Sequence, residues 1–331
     1  MLRIATVGTS AITEKFLEAN RFSGAFEHTL VYSRNQSTAR EFAQKVGCKS
    51  ICCDLKAVAR RSDFDAVYIA SPNAFHYEQS RLFLKNGKHV LCEKPITTSV
   101  REYKALRKLA RKKGLIYMEA MMSVNSCARS SLNEALKKCG RIKNAVIDFS
   151  KRSSRLDRFL SGEHCNIFDM SLKAGALMDI GVYCVYAAVD MFGMPRRITA
   201  KAELLPNDAD CCGEAMFYYD GFDCRLIYSK TADSTEPSRV SGEKGEILIG
   251  SVSQYKNISF SDGCGSNVVF GSAQRKEVMA GEAKRFSAFI KGEDMKEYER
   301  LSCLALDVRR CMDKIKKSAR LKYPAIRQAR R

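Results

Sequence analysis

Absences set the first limits on this chain. Across 331 residues, no apolar run approaches the roughly 20 residues needed to cross a bilayer. The opening MLRIATVG enters a strand pattern at once, without the layout of a secretory leader. Both features set the expectation of a cytoplasmic protein with no membrane partner. There is no pair of CxxC clusters, and the four histidines do not stand at zinc-finger spacing. Cys48, Cys52 and Cys53 form a local cluster, but most of the fourteen cysteines are scattered, several in apolar runs (Cys92, Cys184, Cys303). They read as reduced thiols used as small apolar side chains, so no metal site is expected. Internal repeats and long low-complexity linkers are missing, as are helix-turn-helix spacing and an aromatic-basic RNA motif.

Acids are also in short supply. Asp and Glu number 37 against 56 Lys and Arg, for a net charge of +19. Arg101 to Lys113 holds seven basic residues and one acid, and Arg309 to Arg331 holds ten and one. Such an excess attracts nucleic acid or anionic surfaces. In the first stretch, however, Val100, Tyr103, Leu106 and Ala110 recur at helical spacing and leave the basic groups outside. A solvated helix face and an anionic cofactor account for that charge, and direct nucleic-acid binding is not expected.

Hydrophobic residues make up 45% and charged residues 28%, globular values for a chain long enough for two domains. The first 120 residues alternate short apolar runs with amphipathic ones. Strands are predicted at Leu2–Gly8, Thr29–Ser33, Ser50–Cys53, Ala66–Ala70, Lys88–Cys92 and Leu115–Met118, with helices near 11–20, 37–46, 55–61, 74–86 and 99–113. That rhythm implies a doubly wound parallel sheet covered on both faces. Ser99 with Glu102 three residues on makes a capping box for the last helix. Beyond residue 120 the pattern changes. Helices are predicted at 127–138 and 175–192, then strands at 142–150, 197–205, 211–220, 223–230, 246–249, 257–261 and 267–270, and closing helices at 282–291 and 296–317. The fold class is therefore α/β: a Rossmann domain over 1–120, then an α+β substrate and dimerisation domain over 121–331 built on an open, mainly antiparallel sheet.

The first strand runs into Gly8-Thr9-Ser10-Ala11-Ile12. A strand, a tight turn and a helix N-terminus point unpaired backbone N–H groups at a phosphate. The second strand ends in Tyr32-Ser33-Arg34. NAD enzymes usually carry an acid there for the ribose hydroxyls; a hydroxyl and a guanidinium suit a 2′-phosphate instead. The expected cofactor is NADP, with NAD as the alternative.

Further on stand Cys92-Glu93-Lys94-Pro95 and Gly175-Ala176-Leu177-Met178-Asp179-Ile180-Gly181-Val182-Tyr183. With the amino-terminal glycine loop, this combination resembles the Gfo/Idh/MocA oxidoreductases, in particular the branch of dimeric dihydrodiol dehydrogenases and sugar dehydrogenases. The resemblance spans nearly the whole chain. It implies that Lys94 reaches the substrate oxygen beside the nicotinamide and that the peptide before Pro95 is cis. It also implies that Asp179 and Tyr183 are the acid/base residues, and that Ser71, Pro72, Asn73 and His76 form the loop beside the nicotinamide ribose, with Glu93 in the same region. Glu119 matches a family position on the strand leading out of the Rossmann domain. Met121–Asn125 stands where many relatives have an aromatic residue and an arginine.

The residues support that chemistry. Asp179 and Tyr183 are four apart, so they share a helix face. An aspartate in so apolar a helix calls for a partner or a function, and Lys94 is the candidate partner. A phenol titrates near 10, and a neighbouring ammonium favours its ionised form, easing proton exchange near neutral pH. The expected activity is hydride transfer between the nicotinamide and a hydroxyl or carbonyl of a sugar-like or diol substrate, by a homodimer. The alternative is a non-catalytic dinucleotide-binding sensor or regulatory protein. Arg152, Arg155, His164 and Asn166, in the irregular basic segment before the helix, are weaker candidates for substrate contacts.

Overall fold

The computed structural model describes residues 1–271 and 273–324. The chain divides into two compact units: Met1–Asn125 with Gln274–Cys303, and Ser126–Ala273 with Leu304–Arg331.

The first unit alternates strand and helix: Leu2–Val7 (β1), Ala11–Ser23 (α1), Phe26–Tyr32 (β2), Gln36–Val46 (α2), Ile51–Cys52 (β3), Leu55–Arg60 (α3), Ala66–Ile69 (β4), Asn73–Lys85 (α4), His89–Glu93 (β5), Val100–Lys113 (α5), Tyr117–Ala120 (β6) and Met122–Asn125 (α6). All pairings are parallel, in the order β3-β2-β1-β4-β5-β6. The order reverses between β1 and β4, so the loops after these strands flank the crevice where such sheets bind ligands. β4 is buried on both faces, as a helix-covered sheet requires. Ser99 caps α5 through the N–H of Glu102, while Tyr103, Leu106 and Ala110 face inward. The basic residues of α5 stay outside except Arg107, which is half-buried; it and the exposed Arg111 both pair with Glu299.

The second unit contains Ala128–Cys139 (α7), Ile142–Ser150 (β7), Leu156–Leu160 (α8), a π-helical turn at Leu177–Gly181 and Val182–Phe192 (α9). The strands Arg197–Leu204 (β8), Asp210–Tyr218 (β9), Asp223–Ser229 (β10), Ser238–Gly242 (β11), Glu246–Ser251 (β12), Lys256–Ser261 (β13) and Ser266–Phe270 (β14) complete an open sheet. Its order is β14-β13-β12-β11-β7-β10-β9-β8, antiparallel except for β7 beside β10. Cys224, Leu226 and Tyr228 alternate inward on β10 toward α9. Contrary to the sequence expectation, one helical run among the described residues, Met170–Phe192, is long and apolar enough to cross a membrane; 83% of its apolar window is buried, as in a core helix.

Two helices close the chain: Arg275–Ile290 (α10) and Met295–Ser318 (α11). α10 packs on α1 and α6 in the first unit, with Phe286 against Phe26. The sequence reading placed everything after residue 120 in a second domain. Instead, α10 returns because Val278, Met279, Ala283 and Phe286 form an apolar face buried in the first unit. All fourteen cysteines are free thiols.

Candidate active site

In the first unit, Gly8 ends β1 with φ +106°, and its amide donates to Tyr32 O at 3.2 Å. A Cβ at Gly8 would lie 2.7 Å from Ala70 O, so the close approach of β1 to β4 excludes any side chain there. Thr9 follows, and Ser10 is the N-cap of α1 without a side-chain cap bond. The first amides of α1, at Ala11 and Ile12, thus present the helix-end donors that suit a dinucleotide phosphate. The helix after β2 differs: Asn35 caps α2 through Ser37 N and Thr38 N. Ser33 and Arg34 lie before that cap. The Arg34 guanidinium sits over the Phe75 ring, 5.6 Å from its centroid. This holds a cation next to a flat apolar surface, an arrangement suited to an adenosine phosphate.

The loop after β5 is tied down residue by residue. Lys94 N donates to Glu93 Oε2 at 3.3 Å. The Lys94–Pro95 peptide is cis, and Pro95 O lies 2.9 Å from His76 Nδ1. Ile96 N donates to Glu119 Oε1 at 3.0 Å. Glu93 is itself braced by the Tyr68 hydroxyl at 2.5 Å, and Tyr68 stacks on Phe16. Burial raises the Glu93 carboxyl above its usual range, and the Tyr68 hydroxyl and the Lys94 ammonium oppose that rise. Lys94, half-buried, therefore projects from a backbone fixed by three side chains.

His76 was expected beside the nicotinamide ribose. It is buried, and its second nitrogen, Nε2, lies 2.7 Å from Ser71 O. It thus links the β4 and β5 loops. Burial lowers its pKa while both carbonyls favour the cation. In the neutral ring one nitrogen donates and the other meets its carbonyl without a proton. Ser71 Oγ donates to Gln79 Oε1 at 2.6 Å, Pro72 is the N-cap residue of α4, and Asn73 is its first residue. Glu93 and Glu119 likewise point their carboxylates at the Lys94–Ile96 backbone. Sequence reasoning located these residues but could not distinguish loop braces from cofactor contacts.

The second unit builds the turn that carries Asp179 and Tyr183. Gly175 has φ +130°, and a Cβ there would lie 2.0 Å from Asp210 Oδ1. Asp210, on β9, accepts from Leu177 N at 2.6 Å and from the Tyr323 hydroxyl at 3.3 Å. Burial pushes its carboxyl up to about 6 against those two hydrogen bonds. Above Asp210 the helix opens as a π turn rather than the uniform α-helix expected. π turns recur at functional positions. Four residues still nearly complete a turn, so Asp179 and Tyr183 stay on neighbouring lines of one face. Asp179 forms an ion pair with Lys230, a buried lysine just after β10. The sequence reading named Lys94 as a partner for Asp179 and did not name Lys230, which carries no motif. Tyr183 is buried, with Phe149 edge-on at 5.4 Å between centroids.

The weaker candidates lie apart from this turn's contacts. Arg152 pairs with Asp157, and His164 lies 2.9 Å from Asp169; both are exposed. Arg155 is the N-cap residue of α8, and Asn166 opens a short 3₁₀ turn.

The geometry agrees with comparisons against known proteins. The profile of an oxidoreductase family with an NAD-binding Rossmann fold (GFO/IDH/MocA) matches residues 2–121. The GFO/IDH/MocA C-terminal domain matches residues 136–248. The scyllo-inositol 2-dehydrogenase (NADP(+)) IolU of Bacillus subtilis is 37% identical over 327 residues, 98% of this chain and 99% of that protein. The trans-1,2-dihydrobenzene-1,2-diol dehydrogenase of Macaca fuscata fuscata is 28% identical, covering 74% of this chain and 73% of its own. Among solved structures, KijD10, a 3-ketoreductase from Actinomadura kijaniata in complex with TDP-benzene and NADP, superposes with a TM-score of 0.82. That match has 23% identity and covers 96% of this chain and 97% of that one, a likeness of fold.

Proposed function

The chain belongs to the Gfo/Idh/MocA family of NAD-binding oxidoreductases, and from that premise we propose that it catalyses reversible hydride transfer between NADP and a hydroxyl or carbonyl of an inositol, sugar-like or diol substrate. The observation that carries this reading is the Lys94 loop. Its three consecutive residues are each held by a separate buried side chain, Glu93, His76 and Glu119. A lysine that only paired with solvent would not need such support. Rigid presentation of a reacting group is what catalysis by positioning requires.

The Gly8–Ile12 turn would hold the dinucleotide phosphates, and Ser33 and Arg34 its 2′-phosphate. When bound, the nicotinamide accepts or supplies the hydride. The chain's own residues bind, orient and move one proton. Lys94 donates to the substrate oxygen and stabilises negative charge on it. Tyr183 gives up its phenolic proton as a carbonyl is reduced and takes one as an alcohol is oxidised. Asp179, anchored to Lys230, orients a substrate hydroxyl beside Tyr183. The name of the Bacillus relative, an NADP(+) inositol dehydrogenase, supports the cofactor and the polyol class. The protein is proposed to work in the cytoplasm as a homodimer joined through the open face of the second unit's sheet. Sedimentation equilibrium tests the dimer.

A panel of inositols, monosaccharides and diols, each with NADP or NAD, tests the reading by the absorbance of the reduced nicotinamide. Turnover of polyols or sugars with NADP is expected. Turnover confined to unrelated substrates, or to NAD alone, would overturn it.

A further inference from the structure

The register of β8 and β9 slips at one point. Glu203 pairs with Cys212, but the next residue, Leu204, pairs with Asp210. Cys211 is the extra residue of a β-bulge. In a regular strand two neighbouring cysteines would point to opposite faces. Here the bulge breaks that alternation, and the donor atoms of Glu203, Cys211 and Cys212 all lie within 4.8 Å of one another. We infer that these three residues form a binding site for a thiophilic divalent cation such as Zn²⁺ or Cd²⁺.

The donor set selects the class of ion. Two sulfurs and one carboxylate oxygen suit zinc-like ions, whereas Mg²⁺ and Ca²⁺ require oxygen donors. With Zn–S bonds of about 2.3 Å at a tetrahedral angle, two sulfurs sit about 3.8 Å apart, within the 4.8 Å that bounds the three donor atoms here. Water would fill the fourth position. On binding, each thiol releases its proton to solvent and its sulfur takes up the cation, so two protons leave per ion bound. Glu203 is exposed, Cys212 half-buried and Cys211 buried, so an ion enters from solvent past the carboxylate. The Cys211 thiol now donates to Glu203 O at 3.5 Å, a weak contact that a metal–sulfur bond readily replaces.

The bulge also adjoins the supports of the acid/base turn. Cys211 O accepts from Lys230 N at 2.8 Å, and the Lys230 ammonium pairs with Asp179. Asp210, the preceding residue, holds Leu177 N. An ion drawing on Cys211 therefore acts on the strand ends that anchor Asp179.

Titration of the reduced full-length protein with Cd²⁺, followed by sulfur-to-cadmium charge-transfer absorbance, tests the site without substrate or cofactor. It is therefore independent of the hydride-transfer reading. Wild type should bind one equivalent that Cys212→Ser loses and that Cys53→Ser, at the exposed member of the amino-terminal cysteine cluster, retains. Glu203→Gln, at an exposed position, should weaken that equivalent at least about ten-fold, since loss of even an outer-shell partner costs that much. Equal binding by wild type and Cys212→Ser, or an unchanged affinity in Glu203→Gln, would overturn the assignment.

Discussion

Asp210→Asn probes the support beneath the turn that carries Asp179. The carboxyl accepts from Leu177 N and the Tyr323 hydroxyl, and burial raises it from an ordinary 3.8 to about 6. A carboxyl whose folded pKa is raised holds its proton more tightly in the folded state. Its contribution to stability is therefore fully present below the unfolded value and is lost as pH rises through the folded one. The whole rise corresponds to about 3 kcal/mol, of which about 2 kcal/mol falls between pH ~4.5 and ~7.5. Asparagine cannot ionise. Its carbonyl oxygen still accepts from Leu177 N, and its amide can donate to the Tyr323 oxygen. Urea titrations of both proteins across this range should show Asp210→Asn gaining about 2 kcal/mol on wild type as pH rises. A difference that stays constant with pH, or one that moves the other way, would refute the reasoning.

Other substitutions test the first unit. His76→Phe removes the one N–H that the neutral ring donates to Ser71 O or Pro95 O, at about 1–3 kcal/mol for the acceptor left unpaired, and unties the two loops. It should lower kcat by about ten- to a hundred-fold through the misplaced Lys94, while dinucleotide affinity, measured by fluorescence titration, changes far less. Gly8→Ala forces a Cβ against Ala70 O from a positive φ. Thermal unfolding should report a loss of about 2–4 kcal/mol, and NADPH binding should weaken with it. Arg34→Asp replaces the cation over Phe75 with an anion. The ratio of NADP to NAD affinity should fall at least about ten-fold in a binding titration, and an unchanged ratio would remove the 2′-phosphate role.

The alternating half of the fold was legible because the central strands are short apolar runs, β4 and β6 buried throughout, and helices such as α2 and α5 carry a one-sided apolar stripe. The predicted strand at 142–150 coincides with β7. β11 was missed because Ser238–Gly242 offers one strongly apolar residue, Val240; pairing to β7 and β12 makes it a strand. The start of α10 was placed too late, since its first turn is set by a reciprocal cap between Gln274 and Glu277 rather than by apolar spacing. Lys94, Asp179 and Tyr183 were singled out through motifs. Lys230 and Asp210 were not, because what singles them out is a contact with residues 51 and 33 positions away. Cys211 and Cys212 look unremarkable in a strand pattern, and only the bulge makes them neighbours on one side.

Steady-state turnover and NADPH affinity measured together in Lys94→Met and Tyr183→Phe test the catalytic account most directly. Both variants should lose at least about a hundred-fold in kcat, the scale of a missing proton-transfer or oxyanion-stabilising group, with NADPH affinity within about three-fold of wild type. Undiminished turnover in either variant would contradict the roles given to the ammonium and the phenol.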